Sequence, residues 1–256
     1  SSPQRGEAGR GANHSRRQRL YTGVGGRPSD RSRHQTTRGC AVGLLFSFET
    51  ESRSVSSSRM PSRSLSAWTT TGSAALDQVN DAHAAVGGSG RGRRVALEQV
   101  NAAYLVLLCA HFQRFARDLH SEAIDVIVGA TSPPTSAAVL RTLLAGGRKL
   151  DGGNANEGTL GNDFARFGLP FWDAVEAAAD FRPPMRQAVR DANVWRNAIA
   201  HQDFSHRDFV AAGFGGRMTL RLEEVRAWRK RINALSAIID DVIALHLASL
   251  TGTRPW

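Results

Sequence analysis

The sequence predicts an all-α fold, a bundle of four to six helices preceded by an Arg- and Ser-rich disordered tail. Over several long segments apolar residues recur three and four positions apart, as on one face of an α-helix. Prolines and glycines separate these segments, and no stretch alternates apolar with polar residues as a half-buried strand would. Residues 1–70 show neither pattern.

The N-terminal segment also differs from the rest of the chain in charge. Residues 1–70 contain twelve arginines, no lysine and four acidic residues, whereas the remainder holds 21 basic and 19 acidic residues. The net charge of +10 therefore does not indicate a nucleic-acid-binding face on the folded part. Residues 1–70 are rich in Ser, Arg and Gly and lack hydrophobic periodicity. A segment of this composition cannot bury enough apolar surface to offset the entropy of ordering it. We predict a disordered tail over residues 1–72 and a helical domain over residues 73–251.

Three features of the chain bear on its start and its compartment. Met60 lies just before the composition becomes globular, and we expect it to be the native start. The apolar run 40–48 is shorter than the roughly 20 residues that a membrane span needs, and no clear cleavage site follows it. Cys40 and Cys109 form no disulfide or metal pattern. We therefore expect a cytoplasmic protein without a membrane segment, metal or cofactor.

The first helices follow from residue 73 onwards. A helical pattern runs to a glycine-rich break at residues 87–92. Segment 94–128 has the strongest periodicity, and its middle is apolar nearly all round, which predicts the central helix of a bundle. Pro133 and Pro134 then force a turn, and Ser136 can cap a short helix that ends near residue 145.

The later helices follow from prolines and caps. Residues 151–161 are polar and glycine-rich, which predicts a loop, and Pro170 opens the next helix. Pro183 and Pro184 suit a first helical turn because their φ is already helical, so a helix is expected from there to about His201. Thr219 is predicted to cap a final helix with a continuous apolar stripe.

The helix that ends near His201 carries the candidate chemistry. On a helical wheel Arg196 falls inside the apolar stripe, so its guanidinium must reach solvent or find anionic partners. Asn193, Asn197 and His201 follow one another every four residues and form a polar lane beside that stripe. A cation, two amides and an imidazole are therefore predicted to line one edge of a bundle helix.

These groups suit cleavage of a phosphodiester without a metal. An imidazole can accept the proton of a 2′-hydroxyl or protonate the leaving 5′-oxygen. A guanidinium can hold two phosphate oxygens and stabilise the charge of the transition state. Residues five apart on a helix lie about 7.5 Å apart along the axis and about 140° apart around it. One protomer alone is therefore expected to form an incomplete site.

The segment RNAIAH, residues 196–201, resembles the Arg-polar-x-x-x-His motif of HEPN domains, and NVWRNAIAHQDF is similar to the RiboL-PSP-HEPN branch. The long apolar helix ending in FQRFARDL and the last helix, introduced by MTLRLEEVRAW, are also similar. The resemblance covers about residues 75–250. Two positions depart from it: Gln202 stands where this branch often has glycine, and Gln113 stands where many relatives have an acid.

The resemblance implies a function for the motif. It implies a homodimer whose motif helices face each other, and metal-independent endoribonuclease activity on single-stranded RNA in a toxin–antitoxin or antiphage setting. Arg196 would then clamp the phosphate, His201 would be the general acid or base, and Asn197 would orient RNA or the histidine, with Asn193 as a further substrate contact. An antitoxin or a nucleotidyltransferase is the implied partner.

Two other hypotheses remain open. The first is a HEPN domain that binds RNA, a nucleotide or a protein without cleaving it, although such a module would need neither Arg196 nor His201. The second is a metal site built from His201, Asp203, His206 and Asp208, whose residue types all bind metals but whose spacing matches no familiar ligand pattern.

Overall fold

The chain is helical throughout the part that the computed structural model describes, which comprises residues 60–87, 95–131 and 133–256. These ranges contain no strand, and the all-α prediction is confirmed. Short π-helical turns at Trp68–Gly72 and Val210–Phe214 and 3₁₀ turns at Lys149–Asp151 and Ala165–Phe167 join neighbouring elements. The helices are α1 Arg63–Ala67, α2 Ser73–Gly87, α3 Val95–Thr131, α4 Pro134–Ala145, α5 Glu157–Phe164, α6 Phe171–Glu176, α7 Pro183–His201, α8 Arg207–Phe209 and α9 Leu222–Thr251.

Helices α3, α7 and α9 pack against one another and form the centre of the bundle. Helices α1, α2 and α4 cover α3, and α6 packs on α9. The apolar stripe predicted for the last helix is buried. Each fully buried aliphatic or aromatic side chain contributes about 1.5–3 kcal/mol to the free energy of folding. Its members are Leu222, Val225, Trp228, Ile232, Leu235, Ile239, Val242 and Leu247.

The folded region begins earlier than predicted. Ser62 caps α1 by accepting a hydrogen bond from the Leu65 backbone N–H, and α1 continues through a π-helical turn into α2. Trp68 is 5% exposed, and its ring centroid lies 6.0 Å from those of both Phe112 and Phe115. The predicted boundary at residue 72 is therefore wrong for residues 60–72. Residues 1–59 of the predicted tail and most of the glycine-rich break at 87–92 lie outside the described residues.

Two other local predictions are also wrong. Residues 157–161 of the predicted loop belong to α5, because Asn156 caps this helix by accepting from the Thr159 backbone N–H at 2.9 Å. Thr219 does not cap α9, which begins at Leu222. The Glu224 carboxylate instead accepts from the Arg221 backbone N–H at 3.1 Å and so satisfies one of the donors next to the helix start.

Among the described helices, α9 is long and apolar enough to cross a membrane when judged by length and composition. Half of its most apolar window is buried in the bundle, and core helices share this composition. The composition of α9 thus does not distinguish a membrane span from a buried core helix. The absence of a membrane segment stays a prediction.

His120 is a fully buried, hydrogen-bonded histidine on α3. Its Nδ1 lies 3.5 Å from Nη1 of Arg148, and its Nε2 lies 3.1 Å from the carbonyl oxygen of Asp163. Because the guanidinium can only donate, Nδ1 accepts, and Nε2–H donates to the carbonyl. The ring also packs against Phe164 and Phe167. Burial lowers the pKa of His120 from 6.5 to about 4, so the native protein holds it neutral.

We expect His120 to destabilise the fold as the pH falls. The unfolded chain binds a proton on this ring below pH 6.5, whereas the native state resists protonation until about pH 4. The stability that His120 contributes is therefore complete above pH 6.5 and is lost between pH 6.5 and 4. The loss amounts to about 3 kcal/mol. It can be measured by urea unfolding across this range.

The variant His120→Gln is the control, because its amide keeps hydrogen-bonding capacity and does not titrate. Burial also lowers the pKa of His111 and raises that of Asp240, and these two effects on stability have opposite signs. The difference between wild type and variant isolates His120. Equal pH dependence in both proteins would contradict the prediction.

Candidate catalytic cleft

The C-terminal end of α7 has a well-defined cap. Helix α7 spans Pro183–His201, as the two prolines and the motif predicted. The Asp203 backbone N–H donates to the carbonyl of Ala198, and that of Gln202 donates to the carbonyl of Ile199, which is the Schellman arrangement. Gln202 has φ 54°, a left-handed conformation that glycine adopts without strain. Glycine at position 202 would therefore adopt this conformation more easily than glutamine does.

A cleft of about 710 Å³ opens beside this end of α7. Its walls come from α3, from the loop after the Lys149–Asp151 turn, from α7 itself and from the segment that follows α7. A cleft of this size is typical of sites for small ligands or for a few residues of a polymer. The lining residues are Gln113, Asp151, Gly152, Gly153, Asn154, Val194, Arg196, Asn197, Ala198, His201, Asp203, His206, Asp208 and Phe209.

Arg196 and His201 line the same cleft of one protomer. Arg196 is half-buried and His201 is exposed. The helical wheel places these residues on different faces of α7, but the cleft extends around the helix end and reaches both. This shared lining favours a site within one protomer, and the expectation that one protomer forms an incomplete site stays a prediction.

The guanidinium of Arg196 has an amide as its hydrogen-bond partner. Its Nη1 donates to Oδ1 of Asn197 at 3.2 Å, and the same oxygen accepts from Nδ2 of Asn154 at 2.8 Å. Within the described part of the chain, no carboxylate forms an ion pair with Arg196. Asn197 thus orients the arginine and ties it to the opposite wall of the cleft. The charge of Arg196 remains available to an anionic ligand.

Asn193 does not line the cleft. It is 8% exposed, and its Nδ2 donates to the carbonyls of Ala155 at 3.2 Å and Val189 at 2.9 Å. The predicted substrate contact is therefore replaced by a structural role, in which Asn193 attaches the 151–156 loop to α7. The helical wheel predicted which side of α7 carries Asn193, but it could not predict that a loop packs over this side chain.

Buried polar groups hold the remainder of that wall. The carboxylate of Asp163, 1% exposed, accepts from the backbone N–H groups of Lys149 at 3.0 Å and Leu150 at 2.8 Å. Nε2 of Gln113 donates to the carbonyl of Leu150 at 3.0 Å. An acid at position 113 could not donate this bond when ionised, so glutamine suits the wall found here.

The segment after α7 is fixed by aromatic packing. The ring centroid of Trp195 lies 6.1 Å from that of Phe204 and 4.8 Å from that of Phe209. Phe214 packs against the same tryptophan, and the Arg217 guanidinium lies 5.1 Å above its ring. Since Trp195 directly precedes Arg196, this cluster fixes the segment relative to the motif.

The three carboxylates of the lining each have local partners. The salt bridge from Arg148, at 2.7 Å, holds the pKa of Asp151 below its ordinary value. Hydrogen bonds from Ser205 lower the pKa of Asp203. Asp208 lies 3.5 Å from Nε of Arg207. Two of the three negative charges are thus balanced by a nearby arginine, which reduces their repulsion of an anionic ligand.

The cysteine near the cleft is a poor nucleophile, and the described acidic and histidine side chains of the lining do not form a metal site. Burial raises the pKa of the Cys109 thiol to about 12, so it stays protonated and is a poor nucleophile. In residues 60–87, 95–131 and 133–256, no three His, Cys, Asp or Glu side chains converge as metal ligands. His201, Asp203, His206 and Asp208 share the cleft without forming such a cluster.

Sequence reasoning missed three residues of the cleft. The sequence predicts only a loop at Asn154, marks Gln113 as a departure from a family pattern and suggests His206 as a metal ligand. Their positions depend on contacts between segments far apart in the chain. The N-cap at Asn156 is the one local signal that marks the end of the 151–156 loop.

Comparisons of the chain with protein-family models, with curated proteins and with solved structures find no match. The chemistry of the cleft is therefore inferred from its residues and their geometry.

Proposed function

We propose that this protein is a metal-independent endoribonuclease that cleaves single-stranded RNA by attack of the 2′-hydroxyl group. One observation carries the proposal: a half-buried arginine that pairs with no carboxylate of the described residues lies in an open cleft that also contains an exposed histidine, His201. A positive charge held in this way favours an anionic ligand, and an imidazole in the same cleft can accept or donate a proton.

Each residue has a distinct role in the proposed reaction. Arg196 binds two oxygens of the scissile phosphate and stabilises the negative charge that develops on them. His201 accepts the proton of the 2′-hydroxyl, which makes that oxygen a nucleophile. Asn197 acts on the arginine: its Oδ1 accepts a hydrogen bond from Arg196, which restricts the conformations of the guanidinium. The products are a 2′,3′-cyclic phosphate and a 5′-hydroxyl end.

The resemblance to HEPN domains supports the wider setting of this proposal. It suggests a cytoplasmic homodimer, a toxin–antitoxin or antiphage role, and an antitoxin or nucleotidyltransferase partner. Because one copy already presents Arg196 and His201 to one cleft, a second copy would extend the RNA-binding surface without having to complete the site.

Incubation of the full chain with end-labelled single-stranded RNA in EDTA tests the proposal. We expect cleavage that EDTA does not inhibit, and fragments ending in a cyclic phosphate that acid converts to the 2′- or 3′-monophosphate. RNA binding without cleavage would instead support a non-catalytic binding module. Cleavage that EDTA abolishes would point to a metal site and would contradict the proposal.

A further inference from the structure

A second histidine lines the cleft. His206 lies in the segment after α7 and borders the same volume as Arg196 and His201. Two proton transfers are needed when a 2′-hydroxyl displaces a 5′-oxygen, one from the nucleophile and one to the leaving group. A single histidine would have to perform both. The question is therefore whether His206 is held in a way that suits the second transfer.

The segment that carries His206 is anchored on both sides. Phe204 precedes the histidine and Phe209 follows it, and the centroids of their rings are 5.7 Å apart. Both rings pack against Trp195, the residue before Arg196. Phe209 is 1% exposed. His206 is thus an exposed side chain on a fixed segment, positioned by the helical turn that also positions the arginine.

The hydrogen bonds of His206 determine which ring nitrogen carries its proton. Nδ1 accepts from the Asp208 backbone N–H at 3.3 Å, so the neutral ring carries its proton on Nε2. When the ring is charged, Nδ1–H faces the carboxylate of Asp208, whose Oδ2 is 3.7 Å away. The charged ring can therefore give up its Nε2 proton and keep the Nδ1 proton, which the nearby carboxylate of Asp208 favours. The resting neutral ring, with its proton on Nε2, has no lone pair there and is poorly arranged to be a base through that nitrogen.

We infer that His206 is the general acid that protonates the leaving 5′-oxygen, with His201 as the base. This inference rests on the proposed ribonuclease function. As the 2′-O–H proton moves to His201, the 2′-oxygen forms a bond to phosphorus. The P–O5′ bond breaks, its electron pair stays on the 5′-oxygen, and Nε2–H of charged His206 supplies the proton. His201 ends charged, and His206 ends neutral with its remaining proton on Nδ1, beside the carboxylate of Asp208. Proton exchange with solvent restores both.

An RNA with sulfur in place of the bridging 5′-oxygen tests this role directly. A thiolate is a far more stable anion than an alkoxide, so this leaving group departs without a proton. On ordinary RNA we expect His206→Ala to lower the cleavage rate constant of the full chain by about 100- to 10,000-fold. On the sulfur-bridged substrate the variant should cleave at nearly the wild-type rate, whereas His201→Ala should remain slow.

The matched control is His83→Ala, which removes a histidine of α2 outside the cleft lining and should leave both rates unchanged. Unaltered cleavage of ordinary RNA by His206→Ala would overturn the inference and leave the proposed function intact. Equal slowing on both substrates would also overturn it. A better leaving group compensates for a missing general acid but not for a residue that is needed only for folding or binding. A wild-type protein inactive on both substrates would reject the proposed function and this inference together.

Discussion

Replacing Arg196 or His201 with alanine is expected to lower the rate constant of RNA cleavage by at least about 100-fold. The alanine variant of Arg196 loses the charge that stabilises the phosphate in the transition state, and that of His201 loses the base. Arg196→Lys should also be impaired, because an ammonium cannot hold two oxygens in the fixed geometry of a guanidinium. Single-turnover assays on labelled RNA measure these effects.

A matched control for the arginine is Arg226→Ala. Arg226 is an exposed residue of α9 that bonds to Asn80 and lies outside the cleft, so its variant should cleave at the wild-type rate. Retention of full activity by both Arg196→Ala and His201→Ala would show that the motif is not the site of cleavage.

Mixing the two inactive variants distinguishes a site within one copy from a site shared by two. Because one protomer presents both Arg196 and His201 to its cleft, we expect the mixture of Arg196→Ala and His201→Ala proteins to stay inactive. If the arginine of one copy acted with the histidine of the other, mixed dimers would keep one intact site of two. Recovery of activity after unfolding and refolding the two proteins together would therefore place the reaction across an interface.

Replacing Trp68 with alanine is expected to lower the free energy of unfolding by about 3–5 kcal/mol. The indole is 5% exposed and packs between α1 and the aromatic side chains of α3, so its loss leaves a cavity that a helical bundle fills poorly. Urea unfolding followed by circular dichroism measures the change. Met60→Ala is the control, since Met60 is 75% exposed and its variant should differ from wild type by less than about 0.5 kcal/mol. Equal midpoints for Trp68→Ala and wild type would contradict the packing described for residues 60–72.

The long helices could be predicted because their signals are local. The apolar residues of α3 and α9 recur at helical spacing, and Pro183 and Pro184 mark the start of α7 through the φ angle of the proline ring. The short elements α1 and α5 were missed, since each is brief and its polar residues outnumber the apolar ones visible to a periodicity argument. Their N-caps, Ser62 and Asn156, are weak signals until the packing of the helix is known.

The candidate site also has one part that the sequence predicts and another that it does not. Arg196 and His201 were found because they belong to one contiguous motif, which places them on one helix at a known separation. The partners of that motif come from elsewhere: Gln113 from α3, Asn154 from the loop before α5, and His206 from the segment after α7. No spacing in the chain relates these residues to one another.

Periodicity and proline positions were therefore enough to predict a helical bundle and the helix on which the arginine and histidine lie, because a helix repeats every 3.6 residues whatever surrounds it. The cleft itself required the packed molecule. Whether Asn193 faces solvent or a loop, and whether His206 lines the same cleft as Arg196, depends on contacts between segments distant in sequence. Such contacts form only when the bundle buries its apolar faces and pairs its buried polar groups.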